Sequence, residues 1–199
     1  MSLEFIRGPN VYYRETTPSD LEDVKNALVD WEQFPLSLDR TKNYLKGLLF
    51  GLRYIERPYS DTIQCREILT ACKVSDDSFI GVTQYTVYPG KIVDILLNAG
   101  LPSIRGTGLM NEAALLRDAA ILTELGCTSY TTKLDAKFIP NLRPYQTLES
   151  TDFSSRVDRD LRTVKVIKSD YDIWRANNST SIPSYTYSGN DYVAPHLRD

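Results

Sequence analysis

The chain contains one histidine and three cysteines, too few for the commonest metal sites and catalytic triads. His196 has no second histidine to share a metal ion with and lies in an aperiodic segment, so we predict a surface residue. The three cysteines, Cys65, Cys72 and Cys127, show no Cys-x-x-Cys spacing. Neither a zinc site nor a disulfide framework is indicated, and a reducing, cytoplasm-like compartment fits best. We therefore expect no metal.

A long apolar run and an excess of positive charge are also lacking. No stretch approaches the roughly 18 apolar residues that a membrane-spanning helix needs. Residues 1–10 carry Glu4 and Arg7 in place of the apolar core of a signal peptide. The formal net charge is -3, so no basic field is present to attract duplex DNA or RNA. We expect neither a membrane nor a nucleic acid as a partner.

The rest of the composition is that of an ordinary globular protein. A length of 199 residues, with 42% hydrophobic and 25% charged residues, suits one main domain rather than two. We predict a domain over residues 1–168 and an extension over residues 169–199 that is rich in Tyr, Ser and Asn. The composition of this extension is typical of a flexible tail. Its aromatic residues instead favour docking on the domain or on a partner.

The order of predicted elements indicates an α/β domain. Residues 11–15 are β-branched and aromatic, typical of a strand, and a helix is expected from the Thr-Thr-Pro-Ser-Asp sequence at 16–20 to about residue 30. A second helix is predicted over residues 38–54. Three strands follow, separated by turn sequences at 75–78 and 88–90. The remaining predictions are a helix, a strand, a short helical turn and a late strand, at 107–125, 128–133, 141–148 and 162–168.

The clearest chemical motif lies between the third of these strands and the helix that follows it. Residues 105–108 read Arg-Gly-Thr-Gly. Glycines let the backbone approach a ligand closely, and the first N–H groups of a helix have no partner inside the helix. The helix dipole adds positive charge there, so a phosphate group is a suitable ligand. A simple tight turn remains the alternative explanation.

In this context the sequence resembles the GNAT superfamily of N-acetyltransferases, over roughly residues 11–168. That family carries an Arg/Gln-x-x-Gly-x-Gly/Ala turn between its fourth strand and central helix, and this chain offers residues 104–110 at that place. The resemblance implies a mixed, mostly antiparallel central sheet flanked by helices. It also implies acetyl-CoA as co-substrate, with the pantetheine arm beside Leu97, Ala99 and Leu101. The pyrophosphate would be lined by the turn and the first helical residue: Arg105, Gly106, Thr107, Gly108 and Leu109.

The resemblance also implies catalytic residues. Family members commonly carry an acidic general base on strand four, which corresponds to Asp94 here. The family's general acid is a Tyr seven residues after an Asn and five before a Phe, and both counts, from Asn141 and from Phe153, lead to Leu148. Tyr145, three residues earlier, is the substitute candidate for this role, and packing of its side chain is the alternative at that offset.

Two functions of different classes follow from these residues. The first is an acyl-CoA-dependent N-acyltransferase with a divergent active site, acting on a small-molecule or protein amine in the cytoplasm. The second is a catalytically eroded GNAT-fold interaction protein, such as a component of a virion or another large assembly, joined into a homo-oligomer or assembly through its N- and C-terminal segments. It is motivated by Met110, a bulky residue at the third small position of the turn, and by Leu148. A nucleotide-phosphate binder is a minor third reading, since the P-loop Gly-Lys-Ser/Thr is absent.

Overall fold

Nine strands form one twisted sheet within the residues that the computed structural model describes, which are 6–28, 65–150 and 161–188. Their order across the sheet is β7-β8-β6-β5-β4-β3-β2-β1-β9, and β5 and β6 are the parallel pair in an otherwise antiparallel arrangement. The mixed, mostly antiparallel sheet expected from the sequence is confirmed. The strands are β1 Ile6–Arg7, β2 Val11–Glu15, β3 Cys65–Lys73, β4 Phe79–Tyr88, β5 Ile92–Gly100, β6 Ser129–Asp135, β7 Gln146–Ser150, β8 Leu161–Ile167 and β9 Thr186–Tyr187.

Three α-helices flank the described sheet, namely α1 (Leu21–Ala27), α2 (Leu109–Ala119) and α3 (Lys168–Asn177). A π-helical turn over Ala120–Glu124 continues α2. Short 3₁₀ helices cover Pro18–Asp20, Pro102–Ile104, Ala136–Asn141 and Ser179–Ser181. No helix among the described residues is long and apolar enough to cross a membrane.

The two turns between β3, β4 and β5 form as their sequences predict. Asp77, Gly90 and Lys91 adopt positive φ there, with Gly90 at 82°, and each turn returns the chain antiparallel to the preceding strand. The three-strand meander of the prediction is therefore confirmed, with its boundaries shifted by one or two residues.

The helices divide between the two faces of the sheet. One face, called the α2 face here, carries α2 and α3 over the larger core, which includes Val93, Ile95 and Tyr130. The opposite face, called the α1 face, carries α1 over a smaller core that includes Val82 and Ala99. Because side chains alternate along a strand, consecutive residues of β5 and β6 point to different faces.

The prediction of a helical turn over residues 141–148 is wrong. Residues Ala136–Asn141 form a 3₁₀ helix, and Gln146–Ser150 form the edge strand β7, with Gln146 opposite Val166 of β8. Pro144 stops helix growth, because a proline inside a helix lacks the N–H that would bond to the preceding turn. The helix beside α2 comes instead from later in the chain, as α3, where Arg175 donates to the Thr123 hydroxyl over 2.7 Å.

Several predictions fall outside the described residues. They are the end of the first helix at 29–30, the second helix at 38–54, Phe153, the His196 surface position and the last part of the 169–199 extension.

Candidate functional site

The turn before α2 has an open backbone. Gly106 and Gly108 adopt φ of 77° and 82°, values that favour glycine. A Cβ built on either one would meet no described atom within 4 Å. The Thr107 hydroxyl donates to the Ile104 carbonyl over 2.6 Å and holds the turn closed. The backbone of the turn is thus exposed on the side that a ligand would approach.

Helix α2 begins at this turn. Gly108 is its N-cap residue, and the first hydrogen bond inside the helix runs from the Glu112 N–H to the Gly108 carbonyl over 3.0 Å. The Leu109 N–H donates to the Thr107 hydroxyl over 3.4 Å. The N–H groups of residues 110 and 111 have no carbonyl one turn earlier in the helix, and they lie at its positive end. Phosphate binding at this end of the helix stays a prediction from the sequence.

Met110 lies away from this turn. A Cβ on Gly100 would be 2.6 Å from the Met110 Cγ, and a Cβ on Gly81 would be 2.8 Å from its Sδ. The thioether therefore packs onto the sheet in the space that two glycines leave beside β4 and β5. The bulk of Met110, which the sequence placed at a cofactor-facing position, leaves Gly106 and Gly108 uncovered.

Strands β5 and β6 separate partway along their length. They are paired from Ile92 and Ser129 up to Ile95 and Thr132, whereas β5 continues to Gly100 and β6 to Asp135. The register with β4 shifts at the same level, where Gln84 faces Leu97 and Tyr85 faces Ile95, so residue 96 is a bulge. We call the gap beyond Ile95 and Thr132 the strand opening.

The backbone of β5 presents polar groups to the strand opening. The Leu101 N–H donates to the Ile80 carbonyl of β4 over 2.9 Å. Because backbone groups alternate in direction along an antiparallel strand, the N–H groups of Ala99 and Leu97 also face β4, and those of Asn98 and Gly100 face the opening. Leu97, Ala99 and Leu101, to which the sequence assigned pantetheine contacts, therefore direct their backbone N–H groups toward β4 and away from the opening.

Asp94 lies at the closed end of the strand opening, on the α1 face. Its neighbours Val93 and Ile95 point into the core of the α2 face. Asp94 is half-buried and lies opposite Thr86 of β4 and Thr131 of β6. It accepts a hydrogen bond from the Thr131 hydroxyl. The predicted base is thus held in one orientation where the two strands begin to part.

Tyr145 does not join Asp94. Its side chain is 2% exposed, packs in the core of the α2 face against Tyr171 and Trp174, and donates to the Asp118 carboxylate over 2.7 Å. Burial raises the pKa of Tyr145, and the negative charge of Asp118 raises it further. The sequence-based choice of Tyr145 as general acid is corrected on this ground, because its proton is held inside the core on the other face of the sheet.

Asp118 is the centre of a buried polar cluster that sequence reasoning missed. It pairs with Arg117 over 2.8 Å and with Arg143 over 3.5 Å, in addition to the bond from Tyr145. An Arg-Asp pair inside an apolar helix face was the available signal. In the described part of the chain, no group of three or more His, Cys, Asp or Glu side chains is arranged to hold a metal ion.

Comparison with solved structures identifies this architecture. The chain superposes on a chimera of hSSAT and SpeG, a spermidine N-acetyltransferase from Vibrio cholerae, with a TM-score of 0.61 and 14% identity over 81% of this chain and 97% of the other. A GNAT-family acetyltransferase from Bacillus anthracis gives 0.61 and 13%, over 83% and 99%. FdhC, a nucleotide-linked sugar GNAT, gives 0.61 and 14%, over 87% and 95%.

At the level of sequence, no family model and no curated protein matches. The structural agreement extends over 81–87% of this chain in these comparisons. The chain is a divergent protein with the GNAT fold.

Proposed function

We propose that the chain transfers an acetyl group from acetyl-CoA to an amine. One observation carries the proposal: the strand opening begins beside Asp94 and runs along β5 to the Arg105–Gly108 turn at the N-terminus of α2. One continuous stretch of backbone thereby connects the Asp94 carboxylate, the edge of β5 that is not paired with β6, and the N-terminus of α2. Structural neighbours described as N-acetyltransferases support the same reaction class.

The turn fits the pyrophosphate of coenzyme A. Gly106 and Gly108 have open space where other residues carry a Cβ, and the N–H groups of residues 110 and 111, at the start of α2, are available to an anion. Leu109 continues the helix from the turn, and the Arg105 side chain adds a positive charge at its exposed edge. Residues Arg105–Leu109 would therefore hold the pyrophosphate.

The edge of β5 fits the pantetheine arm. Asn98 and Gly100 offer backbone N–H and C=O groups toward the strand opening, which an extended chain of amides can pair with as an added strand does. When bound, acetyl-CoA supplies an activated thioester, whose acyl carbon an amine attacks. The bulge at residue 96 places an additional backbone group near that carbon's position at the closed end of the opening.

Asp94 would bind the acceptor amine and take its proton. The carboxylate is fixed by the Thr131 hydroxyl, so it meets the amine without having to reorient. The nitrogen forms the new amide bond, the thioester bond breaks, the proton passes to Asp94, and the thiol of coenzyme A leaves. The leaving thiolate would take its proton from solvent.

The test combines ligand binding and turnover. Calorimetry with acetyl-CoA should show binding, and Asp94→Asn should lower kcat by about 10²–10⁴-fold because it removes the base. Asn keeps an oxygen for Thr131, so the melting temperature should change little. Asp172→Asn, at an exposed position of α3 where the carboxylate pairs with Lys168, is the matched control and should retain activity. No binding at millimolar acetyl-CoA, or undiminished turnover of Asp94→Asn, would refute the proposal.

The second candidate is a catalytically eroded interaction protein in a larger assembly, such as a virion. The specific observation in its favour is the placement of Tyr145 inside the core, together with Leu148 at 43% exposure on the edge strand β7. This candidate predicts stable multimers by light scattering and no turnover of any amine. A monomer that acetylates amines would exclude it.

A further inference from the structure

A row of polar side chains crosses the α1 face of the sheet at the level of Asp94. Thr86, Asp94, Thr131 and Lys165 are successive partners on β4, β5, β6 and β8. Directly paired residues of neighbouring strands point to the same face. Asp94 therefore belongs to a polar surface that extends sideways from the strand opening, across β6 and β8.

Lys133 lies on that surface beside the strand opening. It follows Thr131 by two residues on β6, so its side chain points to the same face. It also follows Thr132, the last residue of β6 paired with β5, and so it borders the opening directly.

The two lysines of this surface differ in how their charge is balanced. The Lys165 ammonium forms an ion pair with Glu149 over 2.9 Å. The Lys133 ammonium donates instead to the neutral Thr163 hydroxyl over 2.7 Å, and the residue is exposed. Among the described contacts, Lys133 thus supplies a positive charge that no carboxylate offsets.

The separation between Asp94 and Lys133 suits a small molecule. Adjacent strands lie about 4.8 Å apart and two residues of a strand span about 6.7 Å, so the two Cα atoms are roughly 8 Å apart. An amine held by Asp94 would place the far end of its molecule near the Lys133 ammonium. An anionic group is attracted there, and a second ammonium is repelled.

We propose that the preferred acceptor is a small amine with an anionic group at its other end, which Lys133 binds, and that polyamines are poor acceptors. This inference rests on the proposed acetyl transfer and adds the substrate class. Asp94 selects the amine end and Lys133 the anionic end, so the two side chains set both the charge pattern and the length of the acceptor.

The test compares acceptors matched in length, with acetyl-CoA saturating and release of the coenzyme A thiol as the readout. One arm uses 6-aminohexanoate, a second uses 4-aminobutyl phosphate, and the reference acceptors are hexylamine and spermidine. We expect KM for at least one anionic acceptor to be about tenfold below that for hexylamine, the size of one hydrogen bond to a charged group. Comparing the two anionic arms tells a carboxylate from a phosphate. Equal KM values for anionic and neutral acceptors, or a preference for spermidine, would overturn the inference.

Variants assign the effect to Lys133. Lys133→Gln should raise KM for the anionic acceptor about tenfold, leave kcat and the KM for hexylamine unchanged, and be rescued by Lys133→Arg. Lys73→Gln, whose ammonium lies near Asp76 on the β3–β4 turn, is the control and should change neither value. A rise in KM for acetyl-CoA would show that Lys133 binds the co-substrate and would overturn the acceptor role. Absence of acetyl-CoA binding overturns the proposed function and this inference together, whereas turnover without charge preference overturns only this inference.

Discussion

The phenol of Tyr145 donates a hydrogen bond to the Asp118 carboxylate, and both side chains are almost completely buried in the core of the α2 face. Asp118 is held in addition by Arg117 and Arg143. A buried carboxylate with several donors stabilises a fold chiefly because the loss of any one donor leaves it incompletely solvated. Tyr145, the catalytic acid candidate of the sequence, is thereby a structural residue of the core.

Tyr145→Phe tests this assignment. We expect a loss of about 1–3 kcal/mol in the free energy of unfolding, because the Asp118 oxygen loses its donor inside the core. The pH dependence of acetyl transfer should stay unchanged. Tyr12→Phe is the matched control, since its phenol donates to Asp77 over 3.0 Å at an exposed position and should cost much less. A shifted alkaline limb in the Tyr145→Phe rate profile would restore the catalytic role.

Gly108→Ala separates backbone strain from ligand binding. Gly108 and Gly90 share a φ of 82°, and a Cβ on either meets no described atom within 4 Å. Alanine at either position should therefore cost about 1 kcal/mol of stability through strain alone. Only Gly108→Ala should weaken acetyl-CoA binding in calorimetry, because Gly90 lies in the remote β4–β5 turn. An equal effect of both variants on affinity would argue against the turn as the pyrophosphate site.

Because Met110 packs on Gly100, we predict that substitutions of these two residues have coupled effects on stability. Gly100→Ala should destabilise the protein by about 1–3 kcal/mol, because the new Cβ would stand 2.6 Å from the Met110 Cγ. Met110→Ala alone should also destabilise it, through lost packing. In the double variant the clash is absent. Its loss in the free energy of unfolding, measured with urea, should therefore be smaller than the sum of the losses in the two single variants by more than about 0.5 kcal/mol. Simple additivity would mean that the two side chains do not meet.

The hydrogen bonds of the Asp20 carboxylate lead us to predict that the protein loses stability in acid. Burial alone would raise the pKa of its carboxyl. The bidentate hydrogen bonds from Arg14 and the bond from the Thr17 N–H outweigh burial and lower this pKa below its ordinary value. A carboxyl group whose pKa is lower in the folded state than in the unfolded state stabilises the fold at pH values above its unfolded-state pKa. This stabilisation is lost as the pH falls through the folded-state pKa.

Asp20→Asn should therefore cost about 1–2 kcal/mol at pH 7, a value discounted because Arg14 is one-third exposed. The difference from the wild type should shrink as the pH approaches 2. Denaturant unfolding at a series of pH values measures it, and a difference independent of pH would contradict the assignment.

The sequence predicted elements with local signals and missed those that depend on partners far along the chain. The β3–β4–β5 meander was found because its turns have their own residue chemistry, as at Gly90. Strand β7 was missed because Gln146–Ser150 has no strand pattern of its own and is fixed by pairing with β8. Helix α3 was missed because Tyr171 is its one buried residue, which leaves too little apolar periodicity to detect.

Some features of the candidate site could likewise be predicted from local sequence, and others could not. The glycines of the Arg105–Gly108 turn and the position of Asp94 follow from local sequence. The orientation of Met110 depends on Gly81 and Gly100, which lie side by side on β4 and β5. The polar surface that joins Asp94 to Lys133 depends on cross-strand register, which the order of residues does not specify.

The pairing of β1 with β9 bears on when the protein can fold during synthesis. Ile6 is fully buried and lies opposite Tyr187, and the core around Tyr145 is covered by Tyr171 and Trp174 of α3. Until residues 168–187 leave the ribosome, the first strand has no outer neighbour and the α2 face stays partly uncovered. Contacts between such distant segments form slowly because a long loop must close first. The chain is therefore expected to reach its stable state only once β9 is available to pair, so nascent chains that end before about residue 187 should be sensitive to protease.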